Sequence, residues 1–146
     1  MEDRKFTAKR IAPASGSCTR GEVEFVPFGE LLTRCDVLSL HCPATPQTRG
    51  LIGAEALAQM KPGAILLNTA RGALVDEAAV TAALRSGQLG FYGADAFATE
   101  PLPADSPLLH MQHPERIIFS PHIAWTTHEA RQRLADEMAE NIRKGW

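Results

Sequence analysis

The pentapeptide Ala64-Ile65-Leu66-Leu67-Asn68 opens with four apolar residues and so has no consistently polar face. A strand that is apolar on both sides needs cover on both, the condition of a parallel sheet wrapped by helices, whereas an antiparallel sheet can leave one face in water. The flanking sequence supplies that cover. Before it, "GAEALAQMKPG" sets Leu57 and Met60 at helical spacing and stops at Pro62-Gly63. After it, "VDEAAVTAALRSG" places Val80, Ala83 and Leu84 at i, i+3, i+4, with Asp76 as N-cap and Gly87 as the stop. The β-prone run "DVLSL" (36–40) and the segments "FYGADAF" (91–97) and "RIIFSP" (116–121) read as further strands, and Thr126 with Glu129 forms a capping box for a long amphipathic helix to about Lys144. Strand and helix in strict alternation give an α/β fold, a doubly wound parallel sheet. Residues 1–24, polar and centred on "PASGSCTRG", fit that alternation poorly, so an irregular N-terminal segment is expected before the sheet domain at 25–146.

Several function classes fall away on composition. The net charge of −2, with acids and bases interleaved, provides no basic field for nucleic acid or for an anionic membrane surface. Apolar stretches reach only about five residues, against the roughly 20 that span a bilayer, and "MEDRKFTAKR" has no apolar signal core, so a cytoplasmic protein is expected. The three cysteines lack a CxxC pair, which argues for reduced thiols and against a zinc site. His110 and His113 in "HMQH" could be grouped with Cys42, but no fuller ligand spacing accompanies them, and no metal is expected. His110, His113 and His128 read as surface residues.

In parallel sheets ligands gather at the carboxyl ends of the strands, where loops converge and helix N-termini point. At those ends this chain places His41, Cys42 and Pro43, then Thr69, Ala70 and Arg71, then Asp95 and Glu100, and finally His122. A guanidinium matches a carboxylate bidentately. An imidazole beside a carboxylate is oriented and held ready to donate a proton. Together they suit reduction of a 2-oxo acid: Arg71 anchors the substrate carboxylate, and His122, paired with Glu100, protonates the oxygen. The hydride must come from an external carrier, since no side chain donates one.

The segments "HCPATPQTRGLIG", "NTARGALVDE", "GADAFATEP" and "SPHIAW" occur in an order and at spacings that resemble the NAD-binding domain of the D-isomer-specific 2-hydroxyacid dehydrogenases, over roughly residues 25–146. The resemblance implies a Rossmann-like fold and a dehydrogenase activity, with Arg71, Glu100 and His122 as catalytic residues. It implies dinucleotide contacts from Cys42, from Thr69, Ala70 and Arg71, from Asp95, and from the turn that runs through His122 and Ala124 to Trp125. The substrate implied is a small 2-oxo or 2-hydroxy acid, and "PHIAW" leans toward the glycerate dehydrogenase and hydroxypyruvate reductase branch.

One departure is large. The family's GxGxxG turn, which holds the pyrophosphate on backbone amides, is nowhere in the sequence; Gly87, Gly90 and Gly93 precede or interrupt a strand. The expectation is therefore a truncated domain without its first βαβ unit, weak or inactive alone. It would leave an apolar sheet edge and face exposed, to be covered by a homodimer or by a complementary segment. Asp3, near where relatives carry a ribose-binding acid at a strand end, would favour NAD; Arg4 and Lys5 would suit NADP. The alternative function is a non-catalytic remnant, an interaction module on a dehydrogenase scaffold.

Overall fold

The computed structural model describes residues 5–8 and 24–145. Strands β3 (Val37–Leu40), β4 (Ala64–Asn68), β5 (Leu89–Ala94) and β6 (Ile117–Phe119) form one parallel sheet in the order β3-β4-β5-β6. Helices α1 (Phe28–Arg34), α2 (Ala54–Gln59) and α3 (Glu77–Ser86) fall between strands, and α4 (His128–Lys144) follows the last. The α/β parallel architecture read from the alternation is the one observed. Two further strands, β1 (Lys5–Ala8) and β2 (Glu24–Pro27), pair antiparallel outside the main sheet. The expected irregular segment 1–24 thus contains a strand, whose partner lies about twenty residues on. The rest of that expectation, and the one on Asp3, fall on residues outside those described.

Register explains which residues make the core. Leu38, Leu66, Tyr92 and Ile117 lie abreast on one face, and Leu40, Asn68, Ala94 and Phe119 form the next row. This face joins Leu31 and Leu32 of α1, Ala56 and Leu57 of α2, and Val80, Ala83 and Leu84 of α3 in a single cluster. Phe119 packs edge-on against both Tyr92 and Phe97, the geometry that aligns ring edges with ring faces. Burial pushes the Tyr92 phenol well above its usual range. The opposite face carries Ile65 abreast of Val37 and Phe91, then Leu67 abreast of Gly93 and Ile118. Ile65 and Leu67 are only half-buried there, and Ile118 is 64 % exposed. The two-sided cover expected of β4 is therefore complete on one side only, and an apolar face lies open as the sequence suggested.

Helix α3 follows its sequence closely. The Asp76 carboxylate accepts the amides of Ala78 and Ala79, and Gly87 ends the helix at φ 79°, a left-handed turn that glycine adopts without a Cβ clash. Helix α4 differs in one detail: Thr127, not Thr126, is its N-cap, accepting the Ala130 amide, while the Thr126 hydroxyl donates to the Ile123 carbonyl inside the preceding turn. No residue of α4 is buried. Helix α1 has no counterpart among the expected elements, because seven residues after a proline are too few to display a helical period.

Removing the N-cap by Asp76→Ala is expected to cost about 1 kcal/mol of unfolding free energy. Urea denaturation with an unchanged m-value measures it.

Candidate active site

The carboxyl edge of the sheet is shaped first by Asn68, the fully buried last residue of β4. Its Nδ2 donates to the Arg71 carbonyl at 3.0 Å and its Oδ1 accepts the Ala70 amide at 3.2 Å, curling Thr69–Arg71 into a tight loop. The Asn68 carbonyl accepts the Asp95 amide at 2.9 Å, tying this loop to the end of β5. Thr69, Ala70 and Arg71 line an open groove of about 500 Å³ with His41, Cys42, Pro43 and Ala44 from the end of β3. Four of the expected cofactor contacts, Cys42, Thr69, Ala70 and Arg71, thus share one depression. The exposed Arg71 side chain donates from Nη1 to the Ala70 carbonyl at 2.7 Å.

Asp95 stands at the end of β5, 3 % exposed, with both carboxylate oxygens engaged. Oδ1 accepts the Ser120 hydroxyl and, at 2.8 Å, the Ile123 amide; Oδ2 accepts the Ala124 amide at 2.9 Å. Burial works against ionisation, but those three hydrogen bonds and the nearby His122 outweigh it and hold the carboxyl below its usual value. Asp95 thereby fixes the turn after β6. Within that turn His122 has φ 56°, in the left-handed region that non-glycine residues seldom adopt. Its amide donates to the Ser120 carbonyl at 3.0 Å, and its own carbonyl accepts the Trp125 indole N–H at 3.0 Å. Trp125 thereby braces this turn.

His122 Nδ1 meets Glu100 Oε2 at 2.9 Å, while Glu100 Oε1 accepts the Phe97 amide at 2.9 Å. Hydrogen bonding to His122, then to the Phe97 amide, lowers the Glu100 pKa below its usual value. A ring whose Nδ1 is committed to a carboxylate presents Nε2 as the nitrogen free to exchange a proton. Glu100 and His122 are therefore brought together across the sequence. Arg71 is on the same edge, and its neighbour joins the two loops: Gly72 packs so closely on Phe97 that a Cβ there would lie 1.9 Å from the Phe97 carbonyl carbon. Among the described residues Arg71 makes no ion pair with Glu100. His110 bonds the Ala104 carbonyl and His113 bonds Glu115, both away from this edge.

Sequence reasoning missed Asn68 and Ser120, which do the positioning. The available signal was a polar residue at the end of an otherwise apolar strand, and a serine immediately before Pro121-His122.

The family model of the D-isomer specific 2-hydroxyacid dehydrogenase, NAD binding domain, matches residues 5–124. The chain belongs to this family. The match includes β1, so membership reaches further toward the N-terminus than the motif resemblance did. Similar proteins include a D-3-phosphoglycerate dehydrogenase of Mycobacterium leprae, 46 % identical over 133 residues, covering 91 % of this chain and 24 % of that protein. A glycerate dehydrogenase of Methylorubrum extorquens is 49 % identical over 117 residues, covering 80 % of this chain and 37 % of its own. Among solved structures, a glyoxylate reductase from Paecilomyes thermophila superposes with a TM-score of 0.72 at 39 % identity, over 81 % of this chain and 35 % of that one. A family member from Xanthobacter autotrophicus Py2 in complex with NADPH and MES gives 0.62 at 43 % identity, over 66 % and 30 %. The dehydrogenase domain thus spans between about a quarter and two fifths of the relatives' length.

Asp95→Ala leaves two amides and a hydroxyl without their acceptor and is expected to lower stability by about 3 kcal/mol, read from thermal or urea unfolding. Glu100 sets a pH dependence of known sign. Its folded pKa lies below the ordinary 4.5, so its contribution is present above that value and is lost as pH falls through the folded pKa. The stability gap between parent and Glu100→Gln is therefore expected to narrow on going from about pH 6 to about pH 3; a gap that widens contradicts the assignment.

Proposed function

We propose that this domain serves hydride transfer between a nicotinamide cofactor, NAD or NADP, and a small 2-oxo or 2-hydroxy acid of the hydroxypyruvate/glycerate kind. The observation that carries the reading is the His122 Nδ1 to Glu100 Oε2 hydrogen bond at 2.9 Å, on the edge that also holds Arg71. The residues present fit the nicotinamide half of a dinucleotide: Pro43, Ala44, Thr69 and Ala70, none of them bulky, line the open groove. The glycine-rich turn that would hold the pyrophosphate is not in this sequence. When bound, the nicotinamide supplies the hydride.

In this reading the Arg71 guanidinium pairs with the substrate carboxylate and fixes the oxo carbon against the groove. His122 delivers a proton from Nε2 to the oxo oxygen, and Glu100 holds Nδ1 and stabilises the charged ring. Asp95 and Ala124 carry the turn that aims His122. The names of the relatives, glycerate dehydrogenase, glyoxylate reductase and hydroxypyruvate reductase, support an α-oxo acid of two or three carbons.

A second reading, an interaction module on this scaffold, is favoured by the exposed Leu134, Met138 and Ile142 at four-residue spacing along α4 and by the open face at Ile118. A homodimer would cover such surfaces. Following reduced-nicotinamide absorbance with hydroxypyruvate, glyoxylate and pyruvate separates the two. The first reading expects turnover that falls at least about a hundredfold in His122→Ala. Absence of turnover, together with no NADH or NADPH binding by calorimetry, selects the second.

A further inference from the structure

The anchor and the proton relay reside on separate loops, Arg71 after β4 and Glu100 after β5, and their side chains do not meet. Beyond the Asn68–Asp95 bond at their roots, two contacts join the loops. Gly72 lies against Phe97 and Ala98, with a hypothetical Cβ 2.0 Å from the Phe97 oxygen and 2.3 Å from the Ala98 nitrogen. Such a contact sets a spacing but does not prevent sliding. The second contact is directional: Glu77 Oε1 accepts the Ala98 amide at 2.8 Å. Glu77 begins α3 from a rigid mount, since Val75 bridges Ile52 and the Asp76 amide donates to the Ile52 carbonyl at 3.0 Å. The helix does not need the Glu77 carboxylate for capping, because Asp76 already accepts the amides of Ala78 and Ala79. The Phe97 amide, one residue before Ala98, goes to Glu100 Oε1. Adjacent amides of one loop are therefore held by two carboxylates, one belonging to the relay and one to the helix that continues from the Arg71 loop.

We propose that Glu77 is a positioning residue: with the Gly72–Phe97 contact it registers the loop bearing Glu100 against the loop bearing Arg71, so that anchor and relay keep one separation. The mechanical part stands on these contacts; its catalytic consequence rests on the hydride-transfer reading. A carboxylate acceptor suits the task because charge-assisted hydrogen bonds are shorter and stronger than neutral ones.

The test compares the full chain with Glu77→Ala, which removes the acceptor, and Glu77→Gln, which keeps an acceptor oxygen. Amide exchange by NMR is expected to accelerate about tenfold at Ala98 in Glu77→Ala, with Leu84 in the same helix unchanged, and to stay within about threefold of the parent in Glu77→Gln. Carbon NMR of the Glu100 carboxyl is expected to show its titration moving up toward the ordinary value in Glu77→Ala alone, a response that general loosening of α3 would not give. Where turnover is present, kcat/KM for the oxo acid falls about tenfold while KM for the dinucleotide stays within about twofold. Parent-like Ala98 exchange or an unmoved Glu100 titration in Glu77→Ala overturns the proposal. A parent with neither turnover nor binding of NADH or NADPH removes the hydride-transfer reading and leaves exchange and titration to judge Glu77.

Discussion

Because the Asp95 carboxylate is buried, each of its hydrogen bonds has to be made by protein, and the three it accepts come from Ser120, Ile123 and Ala124, all in the segment that follows β6. A short edge strand of three residues could not aim a turn by itself. The carboxylate supplies what the strand lacks, and it does so from β5, the neighbour that also leads into the Glu100 loop. The left-handed backbone at His122 persists because Ser120, Asp95 and Trp125 over-determine the residues around it.

Two acids therefore flank His122 in different ways. Asp95 is enclosed and acts on the backbone of the turn; Glu100 is solvent-facing and acts on the ring. Both have lowered pKa values, but for Asp95 the hydrogen bonds must overcome burial, whereas for Glu100 they meet little opposition. The division lets Asp95 hold the backbone of the turn whatever the charge state of Glu100. Asn68 performs the corresponding task for Arg71 with a neutral amide, suited to a site where the side chain is fully enclosed and must satisfy one donor and one acceptor at once.

The same sheet has unequal faces. Leu38, Leu66 and Tyr92 are enclosed by α1–α3, while Ile65, Leu67 and Ile118 are covered only in part, and the apolar positions of α4 face outward. The loops carrying Arg71, Glu100 and His122 follow the carboxyl ends of β4, β5 and β6, along the edge between those two faces.

The amino-acid order alone determined the class of fold, since short apolar runs alternating with amphipathic stretches of period 3.6 leave a parallel α/β sheet as the arrangement that buries both. It determined the limits of α3 as well, because Asp76 and Gly87 act on backbone groups within one turn of themselves. It named Arg71, Glu100 and His122 as chemistry-bearing residues at strand ends. What only the tertiary structure decided is how those residues are held. The β1–β2 pairing joins segments with no local signal, the choice of Thr127 over Thr126 follows from the turn Asp95 fixes, and the bond of Ser120 to Asp95 exists only once β5 and β6 lie side by side. Capping and periodicity are local and can be read from neighbours along the chain; the closing of hydrogen bonds between residues more than twenty positions apart depends on the register of the sheet.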